Sequence, residues 1–166
     1  MASVRTLSAL MHETGSDLTI HVTGRQWWWQ IRYKGAHGTS DVLAANEIHI
    51  PVGRRVRIEL ATADVIHSLW IPNLHGKTDL VPGRTNVMWI EASRPGTSRA
   101  QCAEYCGLQH ARMALPLVAE EQAAFDAWLA RERLPAPGEA GFHRARGRVG
   151  RPSPLAVEPA ARSRDG

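Results

Sequence analysis

Only two cysteines occur in 166 residues, and they stand four positions apart. A framework of long-range disulfides is thereby excluded, because one such pair can close a single short loop and nothing more. No apolar stretch approaches the roughly 18–20 residues that cross a bilayer. The start, MASVRTLSALMHETG, has no signal-peptide core. The chain is therefore expected to be soluble, with no address or anchor of its own. There is no internal repeat and no C-x-x-C-H haem-attachment motif. The body also lacks a charge of one sign: residues 1–130 carry twelve bases and twelve acids. The excess of +4 comes from Arg131–Gly166, with eight Arg against four acids, so it says little about what the body binds. The remaining composition, 43% hydrophobic and 22% charged, is ordinary for one globular domain.

What is present is a series of short β-type runs: DLTIHVTG, RQWWWQIRY, ANEIHIPVG, RRVRIELATAD, HSLWIPNL and RTNVMWIEAS. Each alternates or is rich in β-branched and aromatic residues, and each ends near Gly, Pro, Asn or Asp. Close spacing without intervening helices predicts an all-β antiparallel sandwich or barrel over residues 16–134. One short C-terminal helix is predicted in EEQAAFDAWLARERL, where Phe125, Trp128 and Leu129 share a face and Pro135 sets the limit. Residues 1–15 read as a leader or linker. Residues 135–166, rich in Arg, Pro and Gly and poor in bulky apolar groups, cannot offset their ordering entropy and read as disordered.

Both cysteines fall in QCAEYCGLQHARM, with Cys102, Cys106, His110 and Met113 in one short segment. Four readings compete. A disulfide between the two closes so short a loop that it stabilises by roughly 2 kcal/mol or less. A thioredoxin-like redox pair needs C-x-x-C in a βαβ setting, and both are missing. Zinc accepts two Cys and two His, but Met is a poor partner for it. Copper suits thiolate, thioether and imidazole together. Two thiolates around a tight loop could bridge two copper ions, a scheme that needs a histidine from elsewhere. The candidates are His12, His21, His37, His49, His67, His75 and His143. His67 stands out at the start of a predicted strand, where it can converge on a loop at the same pole.

Three blocks, VTGRQWWWQIRY, HSLWIPNLHGKTDLVPGR and QCAEYCGLQHARM, with C-x-E-x-C-G-x-x-H-x-x-M as the most specific, resemble the copper A (CuA) domain of subunit II of haem-copper cytochrome c oxidases. The resemblance runs from about Asp17 to Trp128. It implies a cupredoxin-like Greek-key sandwich holding a binuclear copper centre. Cys102 and Cys106 would bridge both ions, and His67 and His110 would each bind one. Met113 would make a weak contact to one ion and the Glu104 backbone carbonyl to the other. The Glu104 side chain would contribute to a magnesium site shared with the catalytic subunit, a role for which carboxylate oxygen is suited. The implied work is electron transfer within an oxidoreductase: electrons arrive from cytochrome c and pass to the haem of subunit I, where oxygen is reduced to water. The implied place is the periplasmic face of the bacterial inner membrane.

Of the three consecutive tryptophans, alternation puts Trp27 and Trp29 on one strand face and Trp28 on the other. A nucleic-acid platform would need basic interleaving that is absent, so no nucleic-acid partner is expected. The resemblance makes Trp27 the electron-entry residue, and its replacement is expected to slow electron uptake while leaving the metal's spectrum intact. It also implies acids that steer cytochrome c, with Asp79 at such a position, although the body is neutral overall. Two features depart from the family. Arg25 stands where His is frequent, and the membrane hairpin that precedes the domain is not among these residues, so membrane association is expected only through partners or that missing hairpin. A CuA-domain fragment of a nitrous oxide reductase and a copper-storage or copper-delivery cupredoxin are the alternatives; the first also needs a His-rich propeller, and the second has no use for Trp27.

Overall fold

Successive side chains of an extended chain face opposite ways, so apolar residues at every second position give a strand one face to bury. In the computed structural model, which describes residues 18–35 and 41–133, there are ten strands, several of which follow this rule. The leader proper and the tail from residue 134 onward lie outside the described residues. Strand β1 (Thr19–Arg25) buries Ile20 and Val22, while β2 (Trp28–Tyr33) buries Trp29, Ile31 and Tyr33. Strand β3 (Val42–Ala45) is short. Strands β4 (Ile48–Pro51) and β5 (Val56–Thr62) bury Ile48, Ile50, Val56, Ile58 and Leu60. Then come β6 (His67–Trp70), β7 (Lys77–Leu80), β8 (Asn86–Ile90), β9 (Gly96–Cys102) and β10 (Ala114–Glu120). Two five-stranded sheets, ordered β3-β2-β1-β5-β8 and β4-β10-β9-β6-β7, share one apolar core. The architecture is the expected cupredoxin-like sandwich.

The sheets are not purely antiparallel. Strand β1 runs parallel to β5, with Ile20 opposite Ile58, and β10 runs parallel to β4, with Leu117 opposite Ile48. A hairpin always reverses direction, but a passage through the other sheet can restore it. Between β3 and β5 the chain makes such a passage through β4. Strands β3, β7, β9 and β10 fall outside the six anticipated runs. In β9 only Ala100 and Cys102 are buried, so its place comes from pairing with β10 and β6 rather than from its own pattern.

The predicted helix is present as α1 (Gln122–Arg133), with Glu120 belonging to β10 instead. Phe125 and Trp128 are buried and Leu129 is half-buried. Trp128 stacks on His49, ring centroids 4.2 Å apart and 8° from parallel, and meets the Tyr33 ring edge-on at 5.0 Å. His49 Nδ1 lies 2.7 Å from Glu120 Oε1. Among the described residues no helix is long and apolar enough to cross a membrane.

Three connections position the site. Residues 103–113 form the loop of the β9–β10 hairpin, closed by the Cys102 N–H donating to the Met113 carbonyl at 2.9 Å. Strand β6 pairs with β9, placing Leu69 opposite Cys102. The period of two then brings His67 to the same face as that cysteine. The β1–β2 turn, Gln26–Trp27, reaches over the loop.

Candidate metal centre

The five side chains singled out in the sequence converge. Cys102 Sγ and Cys106 Sγ are 3.8 Å apart, both buried and both free thiols. That distance is far beyond the ~2.05 Å of a sulfur–sulfur bond, so the pair is open to a shared ligand. His67 Nδ1 lies 3.9 Å from Cys102 Sγ, and His110 Nδ1 lies 3.6 Å from Cys106 Sγ. Met113 Sδ is 3.7 Å from Cys106 Sγ and almost wholly buried, and the Glu104 carbonyl oxygen is 3.2 Å from Cys102 Sγ. The ligand atoms of His67, Cys102 and Cys106 all lie within 4.8 Å of one another. Two thiols, two imidazole nitrogens, a thioether and a carbonyl thus line one pocket. The thioether, wasted on zinc, makes the set one that suits copper.

His67 is fixed from two sides. Its Nε2 is 2.7 Å from Asp64 Oδ1, which leaves Nδ1 facing the sulfurs. Gly24 backs the ring: a Cβ added there would lie 2.7 Å from His67 Cδ2, so only glycine admits the imidazole at this depth. The Cys106 loop is held in a similar way. Gln26 Nε2 donates to the Cys106 carbonyl at 2.8 Å and Trp27 Nε1 to the same oxygen at 3.1 Å. Gly107 sits beneath both at φ +118°, a region that L side chains rarely adopt.

Burial, with Cys102 beside it, pushes the Cys106 thiol up to about 12. Without a metal the Cys106 thiol therefore keeps its proton at ordinary pH, and a metal must displace that proton to bind its sulfur. At Asp64 burial raises the carboxyl, but hydrogen bonds from His67 and from the Gln26 and Val65 N–H groups outweigh it and hold it below the usual carboxylate range. Asp64 is ionised when it braces the imidazole, the arrangement expected of a group orienting a metal-binding histidine.

The other sequence candidates separate from the cluster. His21 pairs with Glu59, His49 with Glu120, and His75 with the Gly76 carbonyl. His12, His37 and His143 lie outside the described residues. Trp27 is in the turn before β2 rather than on the strand, half-buried against the core with its N–H on Cys106, so the alternation argument does not govern it. Trp29 is fully buried, its ring 6.0 Å from His67. Arg25 spans the exposed side, its Nε on Gln30 at 3.0 Å and its guanidinium 5.9 Å from the Trp28 ring. Asp79 is tied inward by Ser68 Oγ at 2.7 Å. The Glu104 carboxylate points outward to Lys77 Nζ at 3.9 Å. Gln26, Asp64 and Gly24 went unnoticed in the sequence. The one available signal was an Asp three residues before a candidate ligand histidine.

The sequence profile of the family described as cytochrome C oxidase subunit II, periplasmic domain, matches residues 36–122. A cytochrome c oxidase subunit 2 from Alkalihalophilus pseudofirmus is 48% identical over 110 residues, covering 66% of this chain and 31% of that protein. The chain spans about a third to a half of the length of such curated relatives. Among solved structures, the periplasmic domain of subunit II of cytochrome oxidase from Bradyrhizobium japonicum superposes with a TM-score of 0.67 at 30% identity, covering 74% of this chain and 97% of that one. A second is the subunit II of a cytochrome c oxidase caught in a mixed disulfide with a thioredoxin-like protein: TM-score 0.62, 32% identity, 73% of this chain and 95% of that one.

Proposed function

The chain belongs to the family of cytochrome c oxidase subunit II periplasmic domains, and from that premise we propose that it holds a binuclear copper centre and serves as the electron-entry module of a haem-copper oxidase. Cys102, Cys106, His67 and His110 would hold the two ions. Met113 and the Glu104 carbonyl complete the set. The bound pair supplies a one-electron site whose charge change is spread over two ions and two sulfurs, which keeps reorganisation small.

The chain's own residues do the rest. The sandwich fixes the pocket in place, Asp64 holds the His67 tautomer, and burial excludes water from the sulfurs. Trp27 lies between the surface and the Cys106 carbonyl, which supports its assignment as the entry residue for electrons from cytochrome c. Electrons leave for the haem of subunit I at the periplasmic face of the inner membrane, where oxygen is reduced to water. Membrane association comes from partners or from the rest of the subunit. The Glu104 carboxylate is the group that would reach a magnesium ion shared with subunit I. Lys77 now faces it, so that cation would have to displace an ammonium, and one carboxylate alone does not build the site.

The observation that carries the reading is the six-donor pocket with its sulfurs 3.8 Å apart. The mixed disulfide that the relative forms with a thioredoxin-like protein supports a second role for the thiols of this chain. Cys102 and Cys106, 3.8 Å apart, would form a disulfide if a two-electron oxidant such as another disulfide took up their electrons. A thioredoxin-like dithiol would restore them by exchange, becoming a disulfide itself, before metal is loaded. Storage or delivery would call for a pocket that lets metal go, whereas this one is buried and braced.

Reconstitution with copper tests the reading. The chain should show a seven-line electron paramagnetic resonance pattern from one spin shared by two copper nuclei, and it should titrate reversibly in a one-electron step. Cys106→Ser should abolish that pattern; two coppers with an unchanged spectrum in the variant would sink the ligand assignment.

A further inference from the structure

The ligands come from two separate places in the chain, the start of β6 and the β9–β10 loop, and one feature outside the pocket hydrogen-bonds beside both. That feature is the β1–β2 turn. On one side the Gln26 backbone N–H donates to Asp64 Oδ2 at 2.7 Å, and Asp64 Oδ1 is 2.7 Å from His67 Nε2. On the other side the Gln26 side-chain amide and the Trp27 indole N–H both donate to the Cys106 carbonyl, at 2.8 Å and 3.1 Å. Gly107 allows this approach, since a Cβ there would stand 3.1 Å from both nitrogens. A single residue, Gln26, thus reaches the His67 loop through its backbone and the Cys106 loop through its side chain.

We propose that Gln26, with Trp27, is a positioning residue of the metal centre: the β1–β2 turn brackets the two ligand segments and sets the separation of the imidazole from the Cys106 sulfur. This rests on the copper reading above. Neither residue contributes a ligand atom. Their effect passes through the Asp64 carboxylate to His67 and through the Cys106 peptide to the loop, and outer contacts of this kind govern how firmly a metal is held. Two donors on one carbonyl oxygen share the hold on the Cys106 peptide, so losing either loosens it and losing both removes it. Trp27 is therefore not separable from the metal. Replacing it should change the spectrum as well as the rate of electron uptake, contrary to the expectation that the family resemblance carried.

Two variants of the 166-residue chain isolate the two donors. Gln26→Met keeps the side-chain length without the amide, and Trp27→Phe keeps an aromatic ring without the N–H. Each is loaded with copper and read by its resonance pattern and by the rate of copper release to a chelator, with thermal unfolding of the metal-free chain measured alongside. Either variant should unfold within a few degrees of the parent. Each should lose the equal coupling to the two nuclei and release copper faster, the double variant exceeding the product of the single effects and reaching roughly ten- to a hundred-fold. Unchanged patterns and release rates in both variants overturn the bracket. A parent chain that never gives the seven-line pattern overturns the copper reading instead, so the two failures are distinct. If Gln26→Met does not fold, Trp27→Phe alone decides, by the same spectrum and release rate.

Discussion

Gly24 supports the depth at which His67 sits. A methyl group there would meet the imidazole at 2.7 Å, and the ring cannot yield because Asp64 holds its far nitrogen. Gly24→Ala is expected to destabilise the metal-free chain by about 1–3 kcal/mol through overpacking. It should also weaken copper binding by roughly ten-fold through the displaced ligand. Urea unfolding and copper titration of the same sample measure both, and normal copper binding in a stable variant would contradict the contact. At this scale the four residues from Cys102 to Met113 were legible because their spacing and chemistry stand in one segment. His67 was legible only as one candidate among seven, until the family pattern singled it out. Asp64 left only its place three residues before His67 as a signal, and Gln26 left none: one of Gln26's two bonds is made by its backbone, and the other runs to a backbone carbonyl 80 positions away. No side-chain pattern records such contacts.

Among the elements, the helix was the easiest to read and β9 the hardest. Helix α1 shows its buried face as Phe125 and Trp128, whereas β9 presents mostly polar residues and is a strand because both neighbours pair with it. The parallel pairings were also hidden, since direction within a sheet depends on where the chain crosses between layers. Helix α1 is fastened chiefly by Trp128, which lies on His49 and against Tyr33 and Phe125. Trp128→Ala should cost about 3–5 kcal/mol. The loss should appear first as reduced helical circular dichroism, while the copper spectrum persists at temperatures where the sheets remain folded. Simultaneous loss of both signals would show that α1 and the sandwich unfold as one unit.

For the molecule as a whole, the neutral body and the surroundings of the ligand loops bear on how a partner arrives. Val65, Ile66, Tyr105 and Leu108 are exposed next to ligand residues, Leu108 at 92%. The nearby acids Asp79 and Glu104 are each close to Lys77. Association with the proposed cytochrome c should therefore depend more on apolar contact than on long-range steering. Its stopped-flow rate should change by less than about ten-fold between low and physiological salt, where strongly steered pairs change by more. A steep salt dependence would place the partner on a charged face instead. The order of the ligands along the chain has one further consequence. During synthesis His67 leaves the ribosome 35 residues ahead of Cys102, and the two meet only when β9 pairs with β6. A nascent chain consequently exposes thiols before it has a cage for them. Insertion of the metal belongs to the finished fold, and the interval before it is when oxidants have their chance at the sulfurs.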